Sequence, residues 1–263
     1  WKAYKPEEDG TVQWPGPRTA SAGRPGWHIE CSAMSKALLG DTIDLHTGGV
    51  DLLFPHHENE IAQSECCTGK PFVRLWMHCR HLQVEGSKMA KSAGNFFTLR
   101  DLMGKGWSGR EVRYALISVK YREPLNFTFE GLAGARSALQ RLDEWTARLR
   151  ETAGLETSAS PVEGLEAFGE ALDDDLNISA ALATIFETLR LTNRRMDEGA
   201  ISPAEARTLL NWLDGVNSVL ALDPEAENIS EVVEDLLVRR AEARASKDWK
   251  LSDTLRDEIL AIG

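Results

Sequence analysis

Five side chains able to coordinate a metal or bind phosphate fall within about sixty residues: Cys31, His56, Glu60, Lys88 and Lys91. Zinc accepts thiolate, imidazole and carboxylate ligands in a tetrahedral site, and a catalytic zinc keeps one position open for substrate. His56 and Glu60 are four residues apart, so on a helix they project from one face and can meet one ion. Cys31 has to arrive from another element. Lys88 and Lys91 flank Met89-Ala90 between Gly86 and Gly94, a segment expected to be mobile. Lysines on such a loop suit a phosphate chain whose negative charge grows during reaction. A metal that holds a small ligand beside a nucleotide clamp suggests ATP-driven activation of that ligand.

Each feature also has a plainer reading. A His-x-x-x-Glu pair is a common surface hydrogen bond or helix ion pair. A single cysteine is often a small buried hydrophobe, or a nucleophile served by one of the six histidines. Trp27 and His46 read as core residues, Gly48-Gly49 as a tight turn, and two lysines as solvated charges. Their co-occurrence is what argues for chemistry.

The elements that must position these residues follow from pattern. Residues 1–26, rich in Gly, Pro and small polar side chains, predict a loop. Ile29, Ala33, Met34 and Leu38 predict a helix from Trp27 to near Gly40. Ile43 and Leu45 predict a short strand closed by Gly48-Gly49, and Pro55 is expected to open a helix from its favoured first-turn position. His81 to Val84 predicts another short strand. This rhythm suggests part of a doubly wound α/β sheet, in which ligands gather where Gly48-Gly49-Val50-Asp51 would lie.

The second half predicts an all-α bundle. Leu132, Ala135, Leu139, Leu142, Trp145 and Leu149 make one apolar stripe, and Ile178, Leu182, Ile185 and Leu189 another. Ser202-Pro203-Ala204-Glu205 has capping-box spacing before Leu209, Leu213 and Val216. A last helix is expected from about Glu231, with Leu251, Leu255 and Ile259 on one face. Residues 151–163 and 222–230 lack periodicity and read as linkers.

Composition bounds the partners. The chain has 263 residues, is 42% hydrophobic and carries a net charge of −11. Residues 88–150 nevertheless hold 12 Lys/Arg against 6 Asp/Glu, either a phosphate-binding stripe or a solvated face with helix pairs. No apolar run reaches the ~18 residues a membrane span needs, and no signal-peptide pattern opens the chain. The four cysteines, Cys31, Cys66, Cys67 and Cys79, show no disulfide framework, so a cytoplasmic enzyme is expected. The chain opens on Trp1 and reads as a fragment lacking an upstream part.

Three stretches together closely resemble the cysteinyl-tRNA synthetases, a family of class I aminoacyl-tRNA synthetases. They are Gly26-Trp27-His28-Ile29-Glu30-Cys31-Ser32-Ala33-Met34, the run from Gly48-Gly49-Val50-Asp51 through Phe54-Pro55-His56-His57-Glu58-Asn59-Glu60 to Ser64, and Lys88-Met89-Ala90-Lys91-Ser92. Asn95-Phe96-Phe97-Thr98, Ala171-Leu172-Asp173-Asp174-Asp175 and Arg244-Ala245-Ser246-Lys247-Asp248-Trp249 are similar as well. The resemblance implies an α/β plus all-α chain: the C-terminal half of a Rossmann-like catalytic domain over 1–95, and a connecting region over 96–130. A helical bundle over 131–222 and an incomplete anticodon-binding segment over 223–263 would follow.

It implies one zinc held by Cys31, His56 and Glu60, with a fourth cysteine from upstream, and a substrate thiolate bound to that zinc. Trp27 and His46 would line the amino-acid pocket, with His28, His57 and His78 nearby. Gly49, Val50 and Asp51 would lie against the adenylate, and Lys88 and Lys91 would stabilise the pyrophosphate. The implied partners are L-cysteine, ATP with Mg2+, and tRNA(Cys).

Departures are Ala90 where many members have serine, Arg80 where glycine is common, and a loop from Trp14 to Trp27 about two residues longer. With the histidine-rich nucleotide motif missing, residues 1–263 alone are expected not to make adenylate. Two other readings share these residues: a ligase joining cysteine to an amino-sugar thiol precursor, and a non-catalytic RNA-binding module. The arginines Arg239, Arg240 and Arg244 beside Lys247-Asp248-Trp249 favour the synthetase.

Overall fold

The computed structural model describes residues 1–90, 92, 94–224, 235–236, 238–240, 243–244 and 248–262. The chain divides into two compact units, Trp1–Leu220 and Ala221–Gly263. The first unit is an α/β region followed by helices.

The N-terminal stretch expected as loop carries three short elements: β1 (Lys2–Ala3), α1 (Pro6–Asp9) and β2 (Gly23–Arg24). β1 and β2 pair antiparallel, and the Arg24 guanidinium donates to Asp9 at 2.6 Å. Such two-residue strands carry too little periodicity to be read in advance.

Next comes the site-bearing layer. Helix α2 (Trp27–Leu39) leads into strand β3 (Ile43–Gly49), helix α3 (Glu58–Thr68) and strand β4 (Val73–Cys79). β3 and β4 run parallel, with Ile43 opposite Val73 and Gly49 opposite Cys79. Strand β4 was not anticipated from the sequence, because its polar and aromatic residues blur the alternation of Val73-Arg74-Leu75-Trp76-Met77-His78. The Ser32 hydroxyl donates to Gln63 Oε1 at 2.7 Å and ties α2 to α3.

Pro55 does not open the helix. Phe54 is extended (φ −135°, ψ 132°) and α3 begins at Glu58, after an irregular wide turn over Leu53–His57. The proline ring disfavours the α conformation in the residue before it, which delays the regular helix. Gly48 and Gly49 are strand residues rather than a tight turn.

A three-stranded sheet has the order β6-β5-β7, from β5 (Leu82–Val84), β6 (Ser87–Lys88) and β7 (Leu125–Phe127). Glu85 and Gly86, at φ 50° and 74°, make the two-residue turn of the β5–β6 hairpin. Both central positions of such a turn need positive φ, which Gly86 supplies without a steric penalty. Helices α4 (Leu99–Gly104) and α5 (Gly109–Ile117) lie between β6 and β7 in sequence. Each starts with a capping box, Thr98 with Asp101 and Ser108 with Glu111. Val84, Leu102, Val112, Phe127 and Leu132 form their shared core.

The helices that follow keep the expected faces. They are α6 (Phe129–Ala153), α7 (Ala167–Asp173), α8 (Ile178–Asp197) and α9 (Pro203–Leu220). All six residues of the first stripe are buried on α6, and Ile178, Leu182, Ile185 and Leu189 are buried on α8. Trp145 Nε1–H donates to Thr192 Oγ1 at 2.9 Å inside this core. Much of the basic excess is spent within the fold: Arg110 forks onto Asp143, Arg136 onto Glu111, and Arg148 reaches Asn193 and Asp197.

In the second unit, α10 (Trp249–Ile262) packs Leu255 with Leu236, Ala243 and Ile259. Leu251 does not share that face: it is exposed, and Ser252 is buried instead. The expected helix start at Glu231, and Lys247, lie outside the described residues.

Candidate functional site

Packing α2 against α3 brings the three proposed ligands together. Ligand atoms of Cys31, His56 and Glu60 all lie within 4.8 Å of one another. Tetrahedral zinc sets its ligand atoms apart by on the order of 3.5 Å, so only small adjustments separate this cluster from a closed site. Glu60 is fully buried and His56 nearly so, whereas Cys31 is partly open.

Glu60 carries the diagnostic feature. Its Oε1 lies 2.6 Å from His56 Nε2, yet has no hydrogen-bond partner. The two atoms are close enough to share a cation between them. A buried carboxylate oxygen without a partner is costly, and a metal ion removes that cost. The donor set therefore fits a metal ion.

The rings behind the ligands complete the case. Glu60 Oε2 accepts from His46 Nε2 at 2.9 Å, and His56 Nδ1 lies 2.6 Å from His28 Nδ1. If Nδ1 of His56 carries the proton and donates it to His28, Nε2 is left with its lone pair for a metal. His57 Nδ1 meets His78 Nε2 at 2.7 Å. Burial, with His46 next, pushes the His57 imidazole down to about 4, so it is neutral near pH 7. Burial also raises the Cys31 thiol, and the carboxylates of Glu60 and Glu30 add to this. A bound cation reverses that preference by stabilising thiolate.

Trp27 is not a core residue. It is 53% exposed and lies over the His56 ring, with centroids 4.1 Å apart. His46 stacks on Trp76 at 4.6 Å and faces Glu60. A second triple, His46, His57 and Glu60, also has its ligand atoms within 4.8 Å. Spacing alone gave no hint of it, because His46 comes from β3 and the other two from the turn and helix after it.

Gly48 has a local reason. A Cβ there would lie 2.7 Å from His57 Cε1, so glycine makes room for the imidazole. Gly49, Val50 and Asp51 lie at the carboxyl end of β3, where open α/β sheets receive ligands. Asp51 Oδ1 is 4.0 Å from His81 Nδ1.

Lys88 is exposed on β6, in the β6-β5-β7 sheet, and Lys91 lies outside the described residues. The segment before Lys91 makes contacts with the rest of the fold. Met89 packs on the core, and Asn95 bonds the backbone at Lys88 and Ala90.

Comparison with known proteins gives consistent matches. Residues 1–137 match the family described as tRNA synthetases class I (C) catalytic domain, and residues 167–222 match the DALR domain. The cysteine–tRNA ligase of Chlamydia pneumoniae is 48% identical over 271 residues, covering 100% of this chain and 57% of that protein. The corresponding ligase of Protochlamydia amoebophila is also 48% identical, covering 98% of this chain and 55% of its own length. The chain thus spans little more than half the length of these relatives. Among solved structures, the LeuRS of Agrobacterium radiobacter K84, in a ternary complex with tRNA and LeuAMS, superposes with a TM-score of 0.59. At 16% identity over 80% of this chain and 31% of that one, the likeness is one of fold.

Proposed function

Since the chain belongs to the class I (C) tRNA synthetase catalytic-domain family, matched over 137 of its 263 residues, we propose that it is part of a cysteine–tRNA ligase. The full protein would activate L-cysteine with ATP and Mg2+ to cysteinyl-adenylate and transfer it to tRNA(Cys). The observation that carries this reading is the cluster of Cys31, His56 and the buried Glu60, whose Oε1 has no hydrogen-bond partner. The names of the relatives support a tRNA acceptor over an amino sugar.

Cys31, His56 and Glu60 would hold zinc, whose preference for sulfur over oxygen supplies selection of cysteine against serine. The chain's own residues do the rest. His46 holds Glu60 from behind and His28 sets the His56 tautomer. Trp27 forms an aromatic wall over the site. Gly49, Val50 and Asp51 lie where the nucleotide end of an adenylate would sit. Lys88 and Lys91 supply positive charge for the phosphates as charge builds on the leaving pyrophosphate.

The test is cysteine-dependent ATP–pyrophosphate exchange by the full-length protein, with serine as competitor. Exchange with cysteine alone, lost in Cys31→Ala together with bound zinc, is the expected result. Exchange that survives in Cys31→Ala with zinc absent would overturn the assignment.

A further inference from the structure

We propose that Asn95 is a positioning residue for the lysine loop, holding the backbone from which Lys88 reaches the phosphates. The inference rests on the ligase reading and deepens it.

One amide gathers three points of the chain. Asn95 Nδ2 donates to the carbonyls of Val84 at 3.3 Å and Lys88 at 3.1 Å, and Oδ1 accepts the Ala90 N–H at 2.9 Å. These points are the last residue of β5, the last of β6 and the loop after it. Asn95 thus closes the hairpin onto the returning chain and brackets Met89, which is itself packed on the core.

The other side of the hairpin is tied as well. Gly86 N–H donates to Asn126 Oδ1 at 2.8 Å, and Lys88 pairs with Gln83. The Lys88 backbone is therefore held from both flanks, and only its side-chain torsions remain free. The side chain itself is exposed.

The chemistry of position 95 is restrictive. The contact set needs one acceptor and two donors on a single short planar group, which a carboxamide provides. Aspartate keeps the acceptor but turns a carboxylate towards two carbonyl oxygens. Alanine keeps nothing. A lysine that stabilises charge developing in a transition state works through pre-set placement, so loosening its backbone lowers kcat more than it weakens ground-state ATP binding.

The experiment uses the full-length protein with Asn95→Ala and Asn95→Asp, read by exchange kinetics and by amide hydrogen exchange at Ala90. Asn95→Ala should lower kcat by about tenfold or more, with KM for ATP within about twofold, and should lose protection at Ala90. Asn95→Asp should keep that protection while kcat still falls, separating loop position from general unfolding. Unchanged protection in Asn95→Ala, or unchanged kcat with protection lost, would overturn the proposal. Absence of exchange in the parent protein would instead bring down the ligase reading on which it stands.

Discussion

His46 and Glu60, on β3 and α3, are joined by a 2.9 Å hydrogen bond from Nε2 to Oε2, which leaves the other oxygen, Oε1, 2.6 Å from His56 Nε2 in the cluster with Cys31. The carboxylate is thus divided, one oxygen held by an imidazole and the other available to an ion. A partner behind a ligand fixes its orientation and raises its basicity.

Replacing His46 with alanine should therefore weaken zinc binding by about 10- to 100-fold without removing a ligand. Competition with a chromophoric chelator measures this directly. Affinity equal to the parent's would mean that His46 serves something other than Glu60.

Gly48→Ala would set a methyl group 2.7 Å from Cε1 of the buried His57 ring. Overpacking of this kind costs about 1–3 kcal/mol. A chemical-denaturation midpoint unchanged from the parent would show that the ring moves freely.

Thr192→Val keeps the shape of a buried side chain but removes the acceptor for Trp145 Nε1–H. An indole donor left unsatisfied in a core costs about 1–3 kcal/mol. The loss should appear in thermal unfolding of the helical region, with little effect on metal content.

Glu205 caps α9. It accepts from the backbone N–H of Ser202 and from Arg195, and these contacts hold its carboxyl down at about 2. Because the folded value lies below the unfolded one, near 4.3, the stabilisation is complete above that pH and is lost as pH falls towards about 2. Glu205→Gln should cost about 1 kcal/mol at neutral pH, and the two proteins should converge in acid. A stability difference that stays constant through acid titration would disprove this account.

Sequence periodicity located the buried faces of α6 and α8, but not that of α2, where Ile29, Met34 and Leu38 are exposed. The stripes on α6 and α8 depend only on a 3.6-residue repeat, which a short window contains. The same held for the His56–Glu60 pair, whose four-residue spacing survives the irregular turn because the backbone stays helical around it. Where a local rule was overridden, a named neighbour did it: Phe54, before Pro55, is extended and delays α3.

The residues proposed as ligands, and their order along the chain, could be named before any fold was known, because coordination chemistry depends on side-chain identity. Only the tertiary structure decided that α2 carries Cys31 to the same point, that His46 from β3 backs Glu60, and that Gly48 yields its side-chain space to His57. Those outcomes depend on how helices and strands distant in sequence pack together, and no local period encodes that.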